Sequence, residues 1–368
     1  MDVRRSFNFR SRAFTLVELL ASATIIVVLL LILASLTGQT STTWRYTAAK
    51  VEQFREARAA FETVTTRLSQ ATLNTYWDYD SVTAPTRYER RSELRFICGQ
   101  AATLIGDSGQ AKRVSHAVFF HAPLGLTDNN QPISTANPGY RGLENLLNVW
   151  GYFVELNTDQ NVRPNFLTPQ LMPYRYRFRL MECMQPSEKL RTYNYTSGGT
   201  AAAPLAATYK TKEWFTDFVN QANAPTRVLA ENIVAMIITP RLTKNEVDSF
   251  KLSPEALAPN YSYDTTTTNA DSRINPKNQL PPVVQVTMVA IDETSASRLN
   301  LTSSSADILK LSTKFKDSKD YTKNLVLDPT LKPDDSLENR LVALKASYRV
   351  FTTSVPIRAA KWSREQAN

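Results

Sequence analysis

The chain has 368 residues, with 43 Lys and Arg against 34 Asp and Glu for a net charge of +9. A hydrophobic content of 42% is enough to build a sizeable core and excludes a wholly disordered chain. The basic excess is moderate and spread along the sequence, so nucleic acid is disfavoured as a partner.

Residues 1–13 carry Arg4, Arg5, Arg10 and Arg12 against one acid, Asp2. Under the positive-inside rule this leader stays cytoplasmic and the rest of the chain faces outward. From Phe14 to Leu36 run 23 residues whose only charge is Glu18. At about 1.5 Å per residue that is enough for about 30 Å of hydrocarbon. A secretory signal has an apolar core of roughly 7 to 15 residues followed by a small-x-small cleavage site. The run Leu19 to Leu36 is longer and no convincing site of that kind follows, which favours a membrane anchor. An anchor alone leaves Glu18 unexplained, because a carboxylate inside a bilayer costs about 2.5 to 3.5 kcal/mol. Removal of the leader after Ala13 supplies a partner, since Phe14 then carries a free amine four residues from Glu18.

Residues Phe14-Thr15-Leu16-Val17-Glu18-Leu19-Leu20, placed after a short basic leader, resemble the processing motif of the type IV prepilin family, which includes the pseudopilins of type II secretion. The resemblance implies that a prepilin peptidase cuts between Ala13 and Phe14 and methylates the new amine. It also implies that Glu18 pairs with a terminal amine during filament assembly. Ala13 departs from the glycine usual at that position. The implied partners are the peptidase, other pilin or pseudopilin subunits and the inner membrane, crossed once with the N-terminus cytoplasmic and the globular part periplasmic. No cofactor is implied.

From Gln39 to Ala84 there is no Gly or Pro, and Val51, Phe54, Phe61, Val64 and Leu68 recur at helical steps. Lys50, Glu52, Arg55, Glu56, Arg58, Glu62 and Arg67 form the polar face. The pattern places the membrane part of one long helix at 14–36 and its exposed amphipathic part at 37–74, with a β-rich domain at 75–368. The expected fold is α+β, with antiparallel sheets in a pilin-like domain. The aromatic run Tyr76-Trp77-Asp78-Tyr79-Asp80 is expected to pack the helix end onto a sheet.

Strand patterns fall at Glu93 to Cys98, Val114 to His121, Trp150 to Leu156, Val228 to Thr239, Val283 to Ile291 and Ser347 to Arg358. In Tyr174 to Leu180, aromatics or Leu alternate with Arg175, Arg177 and Arg179. The arginine row reads better as a solvated face with acids across the strand than as a phosphate contact. Helices are expected at Lys212 to Gln221 and at Ser336 to Lys345, the second capped by Ser336 with Leu337, Leu341 and Leu344 inward. Irregular insertions are expected at Leu124 to Tyr140, Tyr195 to Thr208 and Pro254 to Pro282. Runs at 227–233, 280–287 and 348–358 resemble the order of late strands in large minor pilins and the J-type minor pseudopilin. With the chain's length, this favours a minor subunit.

Cys98 and Cys183 form either one disulfide in an oxidising compartment or two buried thiols. Gly106-Asp107-Ser108-Gly109 is like a serine-protease nucleophile loop, but Gln110 follows and no histidine precedes it. His116 and His121 are five apart and point to opposite faces of a strand. HExxH, CxxC and phosphate-cradling glycine loops are absent. Asp317-Ser318-Lys319-Asp320 and Asp334-Asp335 lack the ligand spacing of a calcium site. These absences disfavour an enzyme, and the prepilin resemblance at Phe14 to Leu20 implies a non-enzymatic filament subunit. A single-pass anchored binding module for protein, sugar or DNA, retaining residues 1–13, is the alternative.

Overall fold

In the computed structural model the chain divides into two units, Met1–Glu52 and Gln53–Asn368. The structure describes residues 16–81, 83–107, 112–127, 145–160, 163–164, 166–187, 190, 213–220 and 226–362. Helix α1 (Leu16–Leu68) supplies the first unit with its apolar part and the second with its last turns. There follow β1 (Tyr76–Tyr79), β2 (Tyr88–Arg91), β3 (Ile97–Gln100), α2 (Ala101–Ile105), β4 (Lys112–Pro123), β5 (Leu147–Thr158), β6 (Tyr176–Gln185), α3 (Glu213–Val219), β7 (Thr226–Glu231) and β8 (Ile233–Arg241). The chain continues through α4 (Lys244–Phe250), β9 (Tyr263–Asp264), β10 (Val283–Ile291), α5 (Glu293–Arg298), α6 (Tyr321–Leu325), α7 (Leu337–Ala343) and β11 (Tyr348–Pro356).

Strands of the second unit form a six-stranded sheet ordered β7-β6-β5-β4-β3-β9, a three-stranded sheet ordered β11-β10-β8, and a hairpin of β1 and β2. Every pairing is antiparallel. The main core fills one face of the large sheet. Phe96, Val118, Phe120, Trp150, Tyr152 and Leu180 meet the small sheet there, together with Ala57, Ala60, Phe61, Val64 and Leu68 of α1. These helix positions recur at three- and four-residue steps, so one stripe of α1 is buried, each large side chain contributing about 1.5 to 3 kcal/mol. The opposite face of the sheet carries a second core, where Phe119, Phe153 and Met181 are covered by residues of α2 and by Trp214, Phe215 and Val219 of α3.

The seam between the sheets accounts for His116. The register of β4 slips between Val114 and Ala117, and Ser115 takes a positive φ of 57°. This bulge turns Ser115 and His116 toward the unpaired edge of β8. Ser115 Oγ accepts from the Met236 N–H at 3.1 Å, and His116 Nδ1 accepts from the Ile238 N–H at 3.1 Å. His121 lies on the other face, stacked on Trp214 with centroids 4.7 Å apart. The expected opposition of the two side chains holds. Gly151 is required where it stands, because a Cβ there would lie 2.2 Å from the Phe119 ring directly across the strand.

Several expectations need correction. Helix α1 ends at Leu68, short of Asn74, with no Gly or Pro to stop it. Tertiary hydrogen bonds capture the chain instead. The Ser69 carbonyl accepts from the Arg358 N–H at 3.0 Å, the Thr72 N–H donates to His121 O at 2.8 Å, and Asn74 Oδ1 accepts from the Glu93 N–H at 3.0 Å. The aromatic run forms exposed strand β1, with Tyr76, Trp77 and Tyr79 between 43 and 50% accessible, and does not pack the helix end. Val228 to Thr239 is two strands in different sheets, separated by Asn232 at φ 59°. The insertion 254–282 gives β9 to the large sheet, pinned by an ion pair between Arg95 and Asp264. Most of the other two insertions lies outside the described residues.

Candidate functional site

Among the described residues, the first unit consists of α1. Glu18 stands in its first turn with an exposed side chain, and Leu16, Val17, Leu19 and Leu20 around it are 62 to 79% accessible. Within Leu16–Arg45 the most apolar 18-residue window has a mean hydropathy of 2.9 and none of it is buried, so the helix is long and apolar enough to cross a membrane. A helix with no covered face needs lipid or other helices around it. Ala13 and Phe14, the expected processing residues, lie outside the described residues. Ser22 and Thr24 return their hydroxyls to the Leu19 and Ala21 carbonyls at 2.9 and 2.8 Å, which satisfies these polar groups within the helix.

Within the second unit, Arg67 fastens the last turn of α1 to the large sheet. Its Nη1 donates to Glu182 Oε1 at 2.6 Å and to the Tyr152 hydroxyl at 3.2 Å, and the guanidinium lies 4.0 Å from the Trp150 ring centroid. Glu182 is completely buried and takes a second ion pair from Arg227 of β7 at 2.9 Å. Burial pushes the Tyr152 hydroxyl well above its ordinary range, with the Glu182 charge adding to the effect. The site therefore holds the buried Glu182 side chain between two guanidinium groups. Nothing in the residue pattern marked Glu182, because its partners come from positions 67 and 227.

The arginine row is a structural device and not a solvated face. Arg177 and Arg179 are 6 and 2% exposed. Arg177 donates to Glu293 at 2.8 Å, while Arg179 donates to Glu231 at 2.9 Å and to carbonyls of Asn157 and Thr158. Acids do lie across the strands, as expected, since Arg179 is in register with both Glu155 and Glu231. Although burial pushes the Glu293 carboxyl up, hydrogen bonds from Arg177 and Asn232 hold it below its usual value. Only Arg175 remains outside, paired with Asp159 at 3.8 Å.

Cys98 and Cys183 are free and buried, so the thiol alternative stands and the disulfide does not. The sheet explains this. Three strand spacings, about 14 Å, separate β3 from β6. The two thiols also belong to different cores on opposite faces. Burial raises the Cys183 thiol to about 12.

The other candidate residues that the structure describes have structural partners. Burial lowers His116 and His121 to about 4, leaving both neutral. Asp107 accepts from the Arg113 N–H at 3.0 Å and pairs with Lys112 at 3.0 Å, while Ser108 and Gly109 lie outside the described residues. Asp317 caps the short turn Ser318–Asp320, and Asp334 pairs with Arg340 at 2.9 Å. Among the described residues there is no cluster of three or more His, Cys, Asp or Glu side chains suited to a metal ion. Comparison of the chain with family models, curated proteins and solved structures gives no match.

Proposed function

We propose that the chain is a minor pilin or pseudopilin, a non-enzymatic subunit that initiates or caps a type IV pilus-like or type II secretion filament. On this reading prepilin peptidase removes residues 1–13 and methylates Phe14. The observation that carries it is the run Phe14 to Leu20 leading directly into a helix that is apolar on every side and carries Glu18 in its first turn. A membrane anchor needs the apolar length but not the acid. In a filament, helices of adjacent subunits replace lipid around Leu19 to Leu36, and Glu18 of one subunit meets the methylated Phe14 amine of another. The low dielectric among the packed helices strengthens such a pair. Before assembly the protein resides in the inner membrane with its second unit outside the cytoplasm. Lateral contacts then select its place among other subunits.

The test is Glu18→Ala, assayed by recovery of the chain in sheared or isolated filaments and by thermal unfolding of the detergent-purified protein. The expected result is loss of incorporation with unchanged unfolding of the globular unit. Normal incorporation of the variant would reject the amine-pairing mechanism.

A further inference from the structure

The β1–β2 hairpin presents an aromatic surface that neither core uses. Register pairs Trp77 with Arg90 and Tyr79 with Tyr88, so these four side chains share one face. The Tyr79 and Tyr88 rings stack with centroids 4.8 Å apart, and Arg90 lies 5.4 Å from the Trp77 centroid. Trp77, Tyr79 and Tyr88 remain 50, 46 and 59% accessible. An isolated two-stranded hairpin is marginal by itself. Here it is fixed from below: Arg90 donates to Gln279 Oε1 at 2.7 Å and to Lys361 O at 3.2 Å, while Asn278 Nδ2 donates to Arg90 O at 2.6 Å. At the far end the Asp80 carboxylate accepts from the Thr86 hydroxyl and from the N–H groups of Ser81 and Thr86, which holds the loop in shape.

Beside this face opens a cavity of about 180 Å³, walled by Trp77, Leu73 and Leu280 and rimmed by Arg90, Asn278 and Lys361. Among the described residues that line it, the two charged ones, Arg90 and Lys361, are both basic. The hairpin's acids face elsewhere: Asp78 and Glu89 pair across the opposite face, where Arg91 lies 3.6 Å from Asp78 and Arg87 lies 2.9 Å from Glu89. Exposed Trp and Tyr rings held rigidly beside the largely buried Arg90, around a small pocket, have the composition of a protein-binding hot spot.

We infer that the hairpin and cavity form a docking site for an acidic segment of a partner protein. An Asp, Glu or terminal carboxylate of the partner sits between Arg90 and Lys361, and an adjacent aromatic or aliphatic side chain lies on the Tyr79–Tyr88 stack. The volume suits one side chain, and the all-positive lining selects its charge. Every residue of the site lies in the second unit, so the inference stands apart from the filament reading.

The test uses the full chain in detergent micelles as bait for a displayed library of linear ten-residue peptides, with Lys361→Glu and Trp77→Ala as counter-baits. The expected consensus places Asp or Glu next to Phe, Tyr, Trp or Leu. Synthetic peptides of that consensus should bind each variant at least about tenfold more weakly. Tyr88→Ala, whose side chain is largely exposed and whose removal leaves the hairpin anchors intact, provides a third variant with the same expected loss. Near-UV circular dichroism of all variants checks that the fold is kept. A consensus without an acid, or equal binding to Lys361→Glu, would overturn the inference. So would binding of an anionic oligosaccharide such as oligogalacturonate at this site with no peptide bound.

Discussion

Removing Arg67 leaves the Glu182 carboxylate buried with a single remaining ion partner, Arg227. Breaking a buried pair on one side costs about 3 to 5 kcal/mol. Arg67→Ala should fall at the lower end, about 3 kcal/mol, because Arg227 stays and the Arg67 side chain is 24% exposed. For a unit of this size about 1 kcal/mol moves the midpoint by roughly 2 °C, so the expected drop is about 6 °C. The assay is thermal unfolding of the full chain in detergent, followed by near-UV circular dichroism, to which Trp150 under the guanidinium contributes directly. Arg67→Met with Glu182→Leu removes both charges and fills the space with apolar atoms, so the double variant should regain most of the loss. A single-variant loss below about 1 kcal/mol, or a double variant no better than the single, would refute the keystone role of this pair.

Gly151→Ala drives a methyl group into the Phe119 ring, which cannot retreat because it stacks on Phe215 at 4.2 Å. The expected loss is about 1 to 3 kcal/mol, measured as a lower midpoint in urea. Acid should destabilise the fold through the two buried histidines. His116 and His121 are lowered to about 4 in the folded state against about 6.5 unfolded, so the unfolded chain binds more protons between those values. Their contribution is complete above pH 6.5 and is lost as pH falls toward 4, with a slope near pH 5 of up to about 1.4 kcal/mol per pH unit for each ring. His121→Phe preserves the stack on Trp214 and should halve that slope in unfolding measured from pH 6.5 to 5, and an unchanged slope would contradict it.

The sequence was most legible where one residue's neighbours along the chain decided the outcome. Period-two patterns located β4, β5, β10 and β11, and Ser336 caps α7 by accepting from the Asn339 N–H, with Leu337 and Leu341 fully buried. It was least legible where partners are remote. Arg177 and Arg179 alternate like a solvent face, yet α5 and β7 bring Glu293 and Glu231 over them. Asn232 sits inside an apolar run, and only its positive φ reveals that the chain changes sheets there. The exposed aromatic hairpin reads as core by composition, since nothing local tells a ring that packs inward from one that stays at the surface. Glu18 was visible because charge inside a membrane-length run is conspicuous, whereas Glu182 was hidden among ordinary strand residues.

The most direct measurement is the intact mass and N-terminal sequence of the protein purified from its native membrane. The account requires a chain beginning at Phe14 with a methylated amine. A chain that still begins at Met1 would contradict it and leave an anchored binding protein as the reading.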